Sequence, residues 1–283
     1  MNTLKTVLLL GLLSGLLLFL GESFGGRNGL YAGLLIAVLM NFISYFFSDK
    51  IALATYGAQP VTPESNPGVY QRVAPIVSGL AGRMNIPMPR LWLIPDNSPN
   101  AFATGRNPQH ASVAFTSGIL QAMSDDEIEG VVAHELGHVL HRDILISSIA
   151  ATIATAITFL ARMAFFFGGR RDDEREGGGA GGLFMLILAP FAAMLIQMAI
   201  SRSREFDADE ASAKYTGSPG KLISALQKLD VYSKRIPMDA TPSTAHLFIV
   251  KPFTGQSLMR LFSTHPPTEE RIARLRQMTG AYR

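Results

Sequence analysis

Val131-Val132-Ala133-His134-Glu135-Leu136-Gly137-His138 is the stretch whose reading decides this chain. On a helix, residues four apart share a face, so the imidazoles of His134 and His138 point the same way. Two neutral histidines so placed can bind one Zn²⁺ at about 2.1 Å each. Glu135 lies beside them, where a general base acting on water would stand. Upstream, Ser124-Asp125-Asp126-Glu127 reads as a capping box with acidic residues in the positive first turn. Apolar residues follow at Ile128, Val131, Val132, Leu136, Val139 and Leu140, close to helical period. The bland alternative is an amphipathic helix carrying two surface histidines.

A zinc site needs a third protein ligand and an open position. His141 is nearest, but seven helical residues separate it from His134 by about 10.5 Å, too far for one metal. A metzincin extension would need Gly at 141 and His at 144, where this chain has His141 and Ile144. The chain has no cysteine, so thiolate ligands are excluded. The third ligand must come from elsewhere, and a carboxylate is the expected type.

The 283 residues are 48% hydrophobic, with mean hydropathy +0.22. That suggests membrane spans, and four stretches approach the roughly 20 residues a span needs. They are Thr6 to Gly21, Asn28 to Ser48, Ile144 to Ala161 with a continuation to Phe167, and Leu183 to Ser201. Arg162 weakens the third, since it must snorkel or face protein. The first could instead be a signal peptide, although no good small-x-small cleavage site precedes Glu22. The third and fourth could be buried core helices.

Basic residues near the span ends predict orientation. Lys50, Arg142, Arg202 and Arg204 favour both termini and both polar segments on the cytoplasmic side. Arg170, Arg171 and Arg175, in the Gly-rich loop 168–182, count against it. The net charge of +3 and pI near 9.2 fit basic membrane flanks. No interleaved basic and aromatic pattern points to nucleic acid. Absence of cysteine fits a reducing compartment.

The chain therefore divides into a transmembrane pair (1–48), a polar block with the His134–His138 helix (49–143), a second pair (144–201) and a second polar block (202–283). Block one reads as a helix over Pro75–Met84, or one that begins earlier and kinks at Pro75, then short strands at Arg90–Ile94, Ala101–Thr104 and Ser112–Thr116. A small sheet beside the metal helix makes a groove whose edge can pair with an extended peptide. Block two reads as helices over Ser203–Tyr215, from Ser218-Pro219 to Ser233, and Glu269–Met278. The two blocks must meet, since neither alone completes a site.

In block two, Glu205 and Asp209 stand at i and i+4 and share a helix face. Glu205 can supply the third zinc ligand. Asp209 can accept the free ring N–H of a zinc-bound histidine and fix its tautomer. The competing reading is a solvated acidic face flanked by Arg202 and Arg204.

With these residues set out, the chain resembles the gluzincin branch that holds the HtpX membrane proteases and the CAAX prenyl endoproteases. Four stretches look like HtpX: Asn100-Ala-Phe-Ala-Thr-Gly105, Val131 to His138, Ser203-Arg-Glu-Phe-Asp-Ala-Asp209, and His265-Pro-Pro-Thr268. The resemblance spans nearly the whole chain. The reading and the resemblance together give a mainly α membrane protein: four transmembrane helices with a cytoplasmic, zincin-like α+β catalytic domain assembled from two segments. The resemblance implies a bacterial inner-membrane zinc endopeptidase that degrades misfolded membrane proteins, a quality-control role. Its partners would be unfolded membrane polypeptides and the lipid bilayer.

The residue types assign roles within that expectation. His134, His138 and Glu205 would hold Zn²⁺, and Glu135 would shuttle the proton. His265 can donate a hydrogen bond to the developing oxyanion, or can simply start a helix. Two other functions stay open: a membrane protein with structural or transported zinc, which would not need Glu135, and a prenyl-peptide protease.

Overall fold

The computed structural model describes residues 2–147, 149, 153, 202–235 and 266–281. The expected fourth apolar stretch, most of the third, the Gly-rich loop 168–182 and His265 lie outside these residues.

The chain opens with α1, Asn2–Thr55, which folds back on itself at Gly26. Gly26 has φ 54° and ψ −140°, a conformation that side chains resist, so the reversal falls there. The two arms approach until backbones touch. A Cβ on Gly21 would lie 2.3 Å from the Gly29 carbonyl oxygen, and one on Gly33 would lie 2.5 Å from that of Leu17. Between the arms, Asn41 Nδ2 donates to Ser14 Oγ at 2.9 Å, and Ser14 Oγ donates to the Leu10 carbonyl at 2.8 Å. Buried Leu9 and Leu13 pack with Ile146, Ile149 and Ile153, so the chain after residue 143 returns beside the first arm.

Gly26–Thr55 is 30 residues long and apolar enough to cross a membrane, while Thr6–Phe19 is apolar but shorter. The second arm runs on past the expected end at Ser48. Its last turns are fixed by the sheet that follows: Ala52 and Leu53 are buried against Ile94, Phe102 and Ala114, and Asp49 Oδ2 accepts from Arg90 Nη2 at 3.0 Å.

A four-stranded sheet follows, in order β1-β2-β4-β3. Its strands are β1 (Gln59–Pro60), β2 (Arg90–Ile94), β3 (Ala101–Gly105) and β4 (Ala111–Thr116). β2 and β4 are parallel; β3 runs antiparallel to β4 at one edge. Alternation along the strands sorts side chains to two faces. Ala101, Ala103, Val113 and Phe115 join the main core, while Phe102 and Ala114 cover the end of α1. α2 (Pro67–Arg83) takes the earlier of the two expected starts, with Pro75 inside it. The short α3 (Ser117–Ala122) precedes the central helix.

That helix is α4, Asp125–Leu140. Its capping box is formed: Glu127 N–H donates to Ser124 Oγ at 3.4 Å, and Ser124 N–H donates to Glu127 Oε2 at 2.8 Å. Most of α4 is buried, so its neighbours wrap it on all sides. They are α5 (Arg202–Thr216), α6 (Pro219–Arg235), α2 and strand β3, with α7 (Thr268–Gln277) behind α5 and α6. Two glycines permit this. A Cβ on Gly130 would sit 2.6 Å from the Leu222 amide nitrogen, and one on Gly137 would sit 3.0 Å from Ala211 Cβ. Ser212 Oγ donates to the Gly130 carbonyl at 2.7 Å, fixing α5 against α4.

Candidate metal centre

α4 presents His134 and His138 toward α5, and α5 answers with Glu205. His134 Nε2 lies 3.7 Å from Glu205 Oε2, and His138 Nε2 lies 3.6 Å from Glu205 Oε1. One ligand atom from each lies within 4.8 Å of the others, and no other such cluster occurs among the described residues. Donors on a tetrahedral zinc with bonds near 2.0–2.1 Å stand about 3.4 Å apart. Two imidazole nitrogens and a carboxylate oxygen at these separations fit such an ion. His134 is 1% exposed and Glu205 4%. His134 and the Glu205–Asp209 face are thus buried, and His138 is partly buried.

The remaining ring nitrogens are held as well. His134 Nδ1 is 2.9 Å from Asp209 Oδ1, the contact anticipated from the i, i+4 spacing. His138 Nδ1 is 3.3 Å from Asp143 Oδ2, a partner the sequence reading did not single out. Burial alone would lower the His138 imidazole. The Asp143 hydrogen bond and the carboxylates of Glu205, Glu135 and Asp143 outweigh it and raise the group to about 9.

Arg271 from α7 was also missed. It is 1% exposed and grips Asp209 with two bonds, Nε to Oδ2 at 2.9 Å and Nη2 to Oδ1 at 2.6 Å. Its Nη1 is 3.8 Å from Glu205 Oε2. Burial opposes ionisation of both partners. The guanidinium and His134 nevertheless hold Asp209 below the usual carboxylate range, and the facing carboxylates hold Arg271 above its ordinary value.

Glu135 is placed by the sheet. The Ala103 amide donates to Glu135 Oε2 at 2.8 Å. Asn100 faces β4, since its carbonyl accepts from Thr116 N–H at 2.9 Å. By alternation Ala101 and Ala103 turn their backbone groups outward, toward the edge beside the metal helix.

Residues 68–279 match the family model described as peptidase family M48. The chain belongs to this family. Similar M48 proteins include a protease HtpX homolog of Desulforapulum autotrophicum, 54% identical over 97% of this chain and 89% of its own length. Another, from Thermodesulfovibrio yellowstonii, is 53% identical over the full length of both chains. Among solved structures, Ste24p of S. mikatae matches with TM-score 0.52 and 19% identity. The alignment covers 97% of this chain but only 65% of the longer Ste24p chain, and the likeness is one of fold. Membership makes this M48 chain a metalloprotease that acts on polypeptides, in line with the resemblance found in its motifs.

Proposed function

We propose that this metalloprotease is a zinc endopeptidase of the bacterial inner membrane, with its site on the cytoplasmic side, acting on misfolded membrane proteins. The observation that carries the reading is the convergence of His134, His138 and Glu205 around one point, with Glu135 fixed at its edge by the Ala103 amide. His134, His138 and Glu205 would hold the ion. Zinc, when bound, supplies Lewis acidity that lowers the pKa of a water toward about 7. Glu135 keeps one oxygen on Ala103 N–H and uses the other to take the proton of the attacking water. It then delivers that proton to the leaving amine. The outward groups of β3 can align an extended peptide alongside.

The junction with α1 supports the membrane assignment. Tyr45, Phe46 and Phe47 are exposed near the domain end of the second arm. Lys50 Nζ stands over the Phe47 ring at 5.2 Å and the Arg106 guanidinium over Phe46 at 5.5 Å. Aromatic rings backed by cations are the composition of a cytoplasmic membrane interface.

The test is cleavage of an unfolded protein by the detergent-purified full chain, with bound metal measured in the same sample. Cleavage that stops on chelation and returns with zinc is expected. Cleavage that survives complete metal removal, or a zinc-loaded protein that cleaves nothing, would overturn the reading.

A further inference from the structure

Each of the two metal-facing histidines is backed by an aspartate, and each aspartate is faced by a buried arginine. On one side the line runs His134 Nδ1 to Asp209 Oδ1 at 2.9 Å, then Asp209 to Arg271 at 2.6 and 2.9 Å. On the other it runs His138 Nδ1 to Asp143 Oδ2 at 3.3 Å, then Asp143 Oδ1 to Arg204 Nη1 at 3.9 Å. Asp209, Arg271, Asp143 and Arg204 are 1%, 1%, 3% and 8% exposed. They come from α5, α7, the second residue after the α4 C-cap His141, and α5 again.

We propose that Arg271 and Arg204 are positioning residues of the metal centre: Arg204 acts on His138 through Asp143, and Arg271 acts on His134 both through Asp209 and by its own contact, with Nη2 3.3 Å from His134 Nδ1 and 3.5 Å from Nε2. A carboxylate this deeply buried is costly to keep ionised without a facing cation. Kept ionised, it takes the Nδ1–H of its histidine and turns the Nε2 lone pair toward the ligand cluster. The arginines thus fix imidazole tautomer and ring direction, and Arg271 also stands 3.8 Å from Glu205 Oε2. The final helix α7, which supplies no ligand, becomes a structural part of the site.

The two lines are unequal. Arg271 makes a planar fork onto Asp209, with both oxygens engaged. Arg204 meets Asp143 at ion-pair distance, and its terminal nitrogens make no hydrogen bond among the described residues. The Arg271 line is the stiffer of the two, and its loss should cost more.

The inference rests on the metal-site reading, so the experiment separates the two. Zinc affinity of the full chain in detergent is measured by competition with a chromophoric chelator, and ligand geometry by the visible spectrum of the cobalt-substituted protein. Failure of the wild type to bind either metal would sink the metal-site reading and this proposal with it. Given wild-type binding, Arg271→Met should weaken zinc by about 10–100-fold and alter the cobalt spectrum, with a smaller loss for Arg204→Met. Arg271→Lys keeps the charge but loses the fork, so it should show an intermediate loss. It also carries the test if the methionine variant does not fold. In an Asp209→Asn background, Arg271→Met should add less than it costs alone, because part of its effect runs through that carboxylate. Wild-type affinity and spectrum in the folded Arg271 variants, or fully additive losses in the double variant, would overturn the proposal.

Discussion

Glu127 joins two helices, α4 and α6, and its removal should be felt both as a lost cap and as a lost clasp. Its Oε2 accepts from Ser124 N–H at 2.8 Å, closing the α4 capping box, and from Lys228 Nζ of α6 at 2.7 Å. Its Oε1 accepts from Ser224 Oγ at 2.6 Å. Burial would raise this carboxyl, but Lys228, Ser224 and the Ser124 amide together draw it from 4.5 down to about 2. At about 1.4 kcal/mol per decade that difference amounts to about 3 kcal/mol. Lys228 is 43% exposed, so solvent screening trims the value to about 2 kcal/mol. A depressed carboxyl stabilises fully above its unfolded value of 4.5 and loses that contribution as pH falls toward about 2. Glu127→Gln removes the charge and one of the two acceptor oxygens; its remaining oxygen can keep the Ser124 N–H while its Nε2 donates to Ser224 Oγ. It should lower the melting temperature near neutral pH by about 4–8 °C, with the gap closing as pH falls through this window. Thermal unfolding of the detergent-solubilised protein, followed by helical circular dichroism across pH, reads both effects. Equal melting temperatures near neutrality, or a gap unchanged near about pH 3, would refute the reasoning.

Three further outcomes follow from the site and its setting. Glu205→Ala should abolish tight zinc binding, whereas Asp209→Ala should weaken it by about 10–100-fold; the reverse order in a chelator competition would exchange their roles. A metal must displace the proton that the metal-free protein holds on His138 up to about pH 9, so apparent zinc affinity should climb with pH to that point and then level. A metal titration flat between neutrality and that pH would contradict this. Single cysteines can test topology, since the chain has none of its own. An impermeant thiol reagent on cells with a permeabilised outer membrane should label Gly178→Cys and spare Val231→Cys, whose native side chain is 47% exposed; labelling of Val231→Cys alone would invert the orientation.

The candidate ligand cluster was legible because helical spacing is a local rule. His134 and His138, and likewise Glu205 and Asp209, each share a face by period alone, and the structure brings the two pairs together. The capping box and three strands were equally local. What sequence could not supply were partners joined only by tertiary packing. Asp143 reaches His138 because the chain turns after α4, with Arg142 at φ 59°. Arg271 reads as one more basic residue on a short charged helix, and only the docking of α7 buries it. A possible clue was its lie within the expected amphipathic period, four residues before Leu275, itself fully buried. The Ala103 amide carries no side-chain signal at all. The second arm outran its expected end at Ser48 because Asp49 is neutralised by Arg90, a contact that hydropathy does not register.

The central claim is that Glu135 moves the proton and does not hold the metal. Glu135→Gln preserves size and can still accept the Ala103 N–H, but it has no basic carboxylate. Bound zinc and cleavage of an unfolded protein should be measured on the same purified sample. The account predicts zinc near the wild-type amount with cleavage reduced at least about 100-fold. Substantial cleavage by the zinc-loaded variant, or loss of zinc in step with loss of activity, would contradict it.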